Sequence, residues 1–284
     1  MDSKKIVEDI FRKNNIKWEV KDFGTYIDPK CKTANSIYDK LFRLYNNKSS
    51  RGFFSIAESK IDDLMRMTII VDYDKVVATI KKLKKRFKDL TGYLQIEEAG
   101  YRGVHLNLKI DGLPCEIQLA PKVVVMAVDY LHSLYEKWRS FDYCKEITYL
   151  KEKENVVLNG NLSQPEKSIE LASLAKEKHI VELRRQEEAN DFKLRKKTYG
   201  EIFEVSGFES NKNEIKNELD KINLEEGCSS SLTNKKILSI LNENLLINGE
   251  LDKNKVKEVS GLLSQNIAPY QEKFIKNVKE CLNL

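Results

Sequence analysis

Long apolar runs are missing from this chain of 284 residues. None reaches about eighteen consecutive apolar positions, so no stretch reads as a transmembrane helix. Cysteine is sparse: Cys31, Cys115, Cys144, Cys228 and Cys281 are odd in number, scattered, and form no Cys-x-x-Cys pair. That argues against a zinc site and against a disulfide framework, and it predicts a reducing, cytoplasmic setting. No internal repeat and no low-complexity tract interrupts the chain. The opening Met1-Asp2-Ser3-Lys4-Lys5 runs into an amphipathic segment rather than into the apolar core of a signal peptide.

What is present suits a folded, well-solvated protein, with 41% hydrophobic and 33% charged residues. The net charge of +5 is modest and uneven. Residues 1–150 hold 27 Lys and Arg against 21 Asp and Glu, and the remainder is near neutral. A mildly basic first half suits a phosphate-rich ligand or RNA, and equally an ordinary solvated surface.

Periodicity orders the chain. Ile6, Val7, Ile10 and Phe11 recur at helical spacing before Asn14-Asn15 ends the helix. Ile37, Leu41, Leu44 and Tyr45 repeat the pattern over 32–45, followed by a polar loop at 46–52 and a helix start at 53–60. Met67 to Val71 is nearly continuous in apolar and β-branched residues, which predicts a buried central strand with Asp62-Asp63 at its entry. A helix over 75–89 points Val76, Val77, Ile80, Leu83 and Phe87 inward. Its other face is rich in Lys and Arg, either a solvated face or a surface for phosphates.

A strand at 93–96 leads to the most informative stretch. From Val104 to Ile110 apolar residues alternate with His105, Asn107 and Lys109, Asp111-Gly112 makes a tight turn, and Cys115 to Leu119 returns. His105 and Glu116 therefore stand on the two arms of one hairpin, with Gly100-Tyr101-Arg102-Gly103 at its mouth. A long helix over 122–139 follows, with His132 and Tyr135 on one face. Beyond a linker at 159–165, helices are expected at 166–197, 211–223, 233–244, 252–265 and 267–282. The pattern predicts an α+β (α/β) protein: a mixed β-sheet flanked by helices over 1–150, with an appended C-terminal helical module over 151–284.

Gly-Tyr-Arg-Gly-Val-His-Leu, a hairpin, Glu-Ile-Gln, and then a helix with Leu131-His132-Ser133-Leu134-Tyr135 resemble the synthetase domain of RelA/SpoT-type proteins, closest to the small alarmone synthetases. Asp63 before a buried strand, roughly fifty residues ahead of Glu-Ile-Gln, fits the same order. The resemblance covers roughly residues 45–140. The family's separate hydrolase domain, with its His-Asp pair, has no counterpart, since no His-Asp dipeptide occurs.

The resemblance implies a nucleotidyltransferase-like fold and transfer of pyrophosphate from ATP to a ribose 3′-hydroxyl, with Mg²⁺ as cofactor. It assigns Asp63 to the metal, and Glu116 to the metal and to activation of the hydroxyl. Arg51, Ser55, Lys60 and Arg66 go with the ATP phosphates. Tyr101, Arg102, His105 and Gln118 go with the acceptor, Tyr101 as a stacking platform for its base. His132 and Tyr135 are supporting positions. Elementary chemistry agrees: phosphoryl transfer needs a metal on phosphate oxygens, carboxylates to hold it, and cations to absorb developing charge. Mg²⁺ takes one or two carboxylates plus substrate and water, so two acids suffice.

The pattern also departs from the family. Ser49 stands where an Arg is usual, Arg66 where Gly or Ala is, Thr68 where Arg is, Glu97-Glu98 where a Lys is, and Ala120-Pro121 where Arg-Thr is. Acids near the acceptor would repel a guanosine diphosphate. This resembles the divergent toxic branch of the small synthetases, some of which modify the tRNA 3′-CCA end and others of which make an adenosine alarmone. The acceptors thus expected are GDP or GTP, with tRNA or an adenine nucleotide as alternatives. The expected partners include a neutralising antitoxin, or a fused regulatory module in its place, and a second copy of the chain, and no membrane. A catalytically lapsed module that binds RNA or a partner is the remaining alternative.

Overall fold

The computed structural model of the chain describes residues 2–46, 63–139, 141–225, 232–247, 250–251 and 255–284. In order they form α1 (Ser3–Lys13), β1 (Tyr26–Cys31), α2 (Ala34–Asn46), β2 (Met65–Ile70), α3 (Tyr73–Arg86), β3 (Thr91–Ile96), β4 (Arg102–Ile110) and β5 (Leu113–Ala120). There follow α4 (Lys122–Trp138), α5 (Tyr143–Asn159), α6 (Gln164–Val205), α7 (Phe208–Glu225), α8 (Lys235–Leu245), β6 (Leu246–Ile247), β7 (Glu250–Leu251) and α9 (Val256–Leu282). The protein is α+β, built on a mixed sheet of order β1-β2-β5-β4-β3. β2 and β5 run parallel, and the other neighbours are antiparallel.

Most elements follow the sequence pattern, and the exceptions have local causes. β1 carries Pro29 and no clean alternation, and it is an edge strand, where proline is tolerated. α5 buries only Leu150 fully, so its apolar stripe is faint. The expected break between 265 and 267 does not occur: α9 is one helix with Pro269 inside it. The boundary expected near residue 150 falls inside α5. The helix start expected at 53–60 lies outside the described residues.

Contacts divide the chain into two compact units. One comprises Met1–Val20, Glu97–Tyr101 and Met126–Ile202, and the other Lys21–Ile96, Arg102–Val125 and Phe203–Leu284. In the first, Leu150, Leu174 and Val181 form the core between α5 and α6, and Tyr130 packs on Phe11 and Trp18. Trp138 donates its indole N–H to Asp191 at 2.7 Å.

The second unit holds the sheet. One face is apolar and fully buried: Met65, Met67 and Ile69 of β2, Cys115, Ile117 and Leu119 of β5, and Val104, Leu106 and Leu108 of β4. α7 packs on β3 and on α3, and α9 packs on α2, α3, β1 and β4. The α7 contact is close at Gly92, where an added Cβ would fall 2.7 Å from Leu219 and 2.8 Å from the His105 carbonyl. Asn223 of α7 there occupies both backbone groups of Gly92, accepting at 2.9 Å and donating at 2.8 Å, which covers part of the β3 edge.

The β4–β5 turn places Asp111 at φ 50° and Gly112 at φ 81°, as a two-residue hairpin turn of this hand demands. Its outer side is seated: Gly112 O accepts from Thr233 N at 2.9 Å, and Lys273 donates to both Asp111 carboxylate oxygens at 2.7 and 2.8 Å. The hairpin that carries His105 and Glu116 is thus held at its tip as well as along its strands. No helix among the described residues is long and apolar enough to cross a membrane.

Candidate functional site

Register builds the site. Across β2, β5, β4 and β3, one transverse row reads Arg66, Glu116, Asn107, Thr91, and the next reads Thr68, Gln118, His105, Tyr93. Residues two apart on a strand share a face, so these eight side chains lie on the face opposite the apolar core. The parallel pairing of β2 with β5 is what sets Arg66 beside Glu116 although fifty residues separate them. Asp63 sits just before β2, Lys32 just after β1, and Lys40 on α2.

The charges interlock. Asp63 Oδ1 accepts from Lys40 Nζ at 2.9 Å, and its Oδ2 accepts from Arg66 Nη2 at 2.9 Å and from Lys32. Arg66 also places Nε 2.6 Å from Glu116 Oε1, so one guanidinium touches both acids. Gln118 donates to Glu116 Oε1 at 2.9 Å, and His105 Nδ1 stands 3.2 Å from Oε2. Tyr93 stacks on the His105 ring, 5.0 Å between centroids at 11°, which fixes the imidazole plane. Thr68 donates to Gln118 at 3.5 Å, a long contact.

These groups are held in the protein interior. Asp63, His105 and Glu116 are 7%, 3% and 2% exposed. A buried carboxylate is tolerable only when paired, because its desolvation costs several kcal/mol per ion. The pairing here overcomes that cost. Burial pushes the Asp63 carboxyl up, but Lys32 and Lys40 outweigh it and hold the group well below the usual carboxylate range. Burial likewise raises Glu116, and the His105 imidazole, followed by the Arg66 guanidinium, brings it below its ordinary value. Burial lowers Lys32 despite the attraction of Asp63. Both acids are therefore carboxylates at neutral pH.

Asp63, Arg66, His105, Glu116 and Gln118, expected from sequence, are brought together. Arg102 is not part of this group: it lies on the alternate face of β4, stacks over Phe203 and Phe208 at 5.7 and 5.3 Å, and pairs with Glu209. Tyr101 belongs to the other unit, edge-on to Tyr199 at 5.8 Å. In the same loop Glu97 lies 3.7 Å from Arg195, so this acid has a structural partner on α6. His132 and Tyr135 also belong to that unit, stacked on each other, with Arg195 over the Tyr135 ring. Arg51, Ser55 and Lys60 lie outside the described residues.

Sequence reasoning missed Lys32, Lys40, Tyr93 and Asn107. The two lysines reach Asp63 only through the β1–β2 pairing, and β1 has no sequence signature. Tyr93 and Asn107 did have one: they fall on the same alternation as His105 and Glu116 in adjoining strands. Asn107 buries its side-chain oxygen with no hydrogen-bond partner among the described residues, directly opposite Glu116.

Two carboxylates are the donor set a magnesium ion requires from a protein. Asp63 and Glu116 fit it in kind, and the arrangement explains what stands between them: Arg66 bridges the two acids with its own positive charge. Among the described residues no group of three or more His, Cys, Asp and Glu is placed to hold a metal ion. No family model matches the chain, and no curated protein matches it.

Proposed function

We propose that the chain is a pyrophosphotransferase: it moves the terminal pyrophosphate of ATP to a ribose 3′-hydroxyl, using the Asp63–Arg66–Glu116–His105 face of a nucleotidyltransferase-like sheet. The observation that carries the reading is the burial of two ionised carboxylates around one guanidinium, with Arg66 and Glu116 on adjoining parallel strands and Asp63 just before the first of them, on a polar face that the sheet's packing does not require. Replacing such a network by apolar residues is often neutral or stabilising, so packing alone gives no reason to keep it.

In this reading Lys32, Lys40 and Arg66 hold the donor's phosphates, because three cations within reach of one aspartate can pass to a polyanion. Glu116 faces the acceptor and takes the proton of the 3′-hydroxyl, or keeps it polarised, as the oxygen attacks the β-phosphorus. The bond between the α- and β-phosphates breaks and AMP departs as the leaving group. His105 orients the Glu116 carboxylate through Oε2, and Tyr93 holds the imidazole in place. The Asn107 oxygen opposite Glu116, without a hydrogen-bond partner among the described residues, offers a second acceptor to a ribose hydroxyl. Asp63 and Glu116 would be the residues to hold a magnesium ion, which would supply positive charge against the charge developing on the phosphates. Guanine nucleotides are the first acceptor class to test and tRNA the second, with the basic face of α3 as its docking surface.

The test is incubation with ATP labelled in its terminal phosphates and GDP, GTP, ATP or tRNA as acceptor. Label on an acceptor, abolished in Glu116→Gln, supports the reading. No label on any acceptor refutes it.

A second reading rests on the engagement of all four carboxylate oxygens by the chain's own side chains. A lapsed synthetase fold that binds RNA or a partner would keep such a closed network. It predicts nucleic-acid binding with a steep salt dependence that Asp63→Ala leaves unchanged.

A further inference from the structure

The hairpin of α5 and α6 leaves one of its sides bare. The two helices run antiparallel: Lys178 donates to Glu154 at 2.6 Å, and further along α6 Arg184 donates to Glu146 at 3.0 Å. Their shared core is thin, built from Leu150, Leu174 and Val181 with Tyr143 and Val157 packed against it. Beside that core stand large apolar side chains in water. Val156 and Ile169 are 72% and 70% exposed, and Tyr149, Ile180 and Leu183 are each at least half exposed. Tyr149 and Val156 are seven residues apart on α5, and Ile169 and Ile180 eleven apart on α6, so each pair falls on one side of its helix. The two stripes face the same way, because Tyr149 and Ile180 together line a groove of about 250 Å³ between the helices, with Leu150, Val181, Glu146 and Glu177 as its other walls.

We propose that this face pairs with the same face of a second copy of the chain, closing two hairpins into a four-helix bundle. The inference is independent of the pyrophosphotransferase reading. Area favours it. α5 has 17 residues and is about 25 Å long, and two helices each about 10 Å wide give a face of about 500 Å² in projection. Side-chain relief brings that into the range of about 600–1,000 Å² per partner found in stable pairs. Charge favours it as well. Residues 143–183 hold six Lys and Arg against seven Asp and Glu, with opposite signs adjacent at Lys145-Glu146 and Lys176-Glu177. Such a face does not repel its own copy, whereas a nucleic acid or an anionic lipid surface calls for an excess of Lys and Arg. Shape completes the fit. Val156 and Ile169 protrude toward the α5–α6 turn and the groove lies away from it. A two-fold axis crossing the helices therefore sets the protruding side chains of each copy over the groove of the other. The bundle would bury apolar surface that a two-helix hairpin cannot cover by itself.

Sedimentation velocity of the full chain tests this at concentrations from about 1 to 100 µM, where interfaces of this size assemble. The parent is expected to sediment as a dimer. Ile180→Glu and Val156→Glu each put one charge per copy, two per pair, into the covered face, and each should weaken assembly at least about a hundredfold. Leu224→Glu, at an 87% exposed position of α7, should leave the dimer intact. Both face variants change exposed side chains and should keep the circular-dichroism spectrum of the parent; where one does not, the other decides. A monomeric parent overturns the proposal, and so does a dimer that the face variants leave as tight as before. A monomeric parent that sediments with phosphatidylcholine vesicles, and loses that property in Ile180→Glu, overturns it in favour of a lipid surface.

Discussion

Replacing Asp63 by asparagine keeps the shape of the side chain and removes the charge that Lys32, Lys40 and Arg66 converge on. The side chains of Asp63, Lys32 and Lys40 are 8%, 18% and 20% exposed. The two lysine pairs are therefore only partly screened by water. Arg66, at 42%, is screened more and contributes less. Gross Coulomb attraction for one pair at 4 Å is ~4 kcal/mol at an effective dielectric constant near 20. Much of it is offset by desolvation, while breaking a buried pair on one side costs ~3–5 kcal/mol. With both lysines partly wet, the lower end applies, and Asp63→Asn should destabilise by about 3 kcal/mol. For a unit of this size that lowers Tm by about 6–12 °C. Thermal and urea unfolding measure it. The variant also leaves three cations without their counter-charge, so inorganic triphosphate should raise its Tm more than it raises the parent's. A loss within about 0.5 kcal/mol, as for an ordinary surface substitution, together with equal triphosphate shifts, would refute the reasoning that this cluster is an anion-binding charge network.

Three further outcomes follow from the same geometry. Asp63 and Glu116 are both held below their ordinary range, so their contribution to stability is complete above the unfolded carboxylate values, and is lost as pH falls through those values toward the folded ones. Urea midpoints should be level near neutrality and drop below about pH 5, with a shallower drop in Asp63→Asn. Gly112→Val should cost about 2 kcal/mol or more, because φ is +81° and the new Cβ would lie 2.8 Å from Thr233 Oγ1 and 2.9 Å from Asn234 N. Urea denaturation reads it, and a neutral result would mean the hairpin tip is not seated on that segment. Asn223→Ala removes two hydrogen bonds to Gly92 and should cost about 1–2 kcal/mol. Amide exchange of β3 should quicken with it, and an unchanged exchange rate at Tyr93 and Leu94 would contradict the edge-covering role.

The core of the sheet was legible because its cause is local. Alternation over 104–110 and the Asp111-Gly112 turn specify the hairpin, and a continuous apolar run specifies β2. His105, Glu116 and Gln118 follow from those strands by counting. The partners of Asp63 were not legible, because they depend on β1, an edge strand with a proline and no alternation, and on pairings between segments thirty residues apart. Arg66 was visible as a departure from the family pattern, and only the parallel register of β2 with β5 gives the departure a location. Arg102 shows the opposite limit. Its place in a Gly-Tyr-Arg-Gly motif suggests the site, yet strand parity sends it to the other face, where two phenylalanines and Glu209 receive it. Glu97 reads in sequence as a charge change near an acceptor, and in the fold it answers a mostly buried arginine on α6.

The central claim is a transfer reaction run by Glu116 and its neighbours, and the direct measurement is the fate of label from the terminal phosphates of ATP. With GDP, GTP, ATP and tRNA offered separately, the account predicts labelled product on a ribose 3′-hydroxyl of one of them, AMP formed in equal amount, and neither product from Glu116→Gln at unchanged fold. AMP-free reactions and unlabelled acceptors in every case would contradict it.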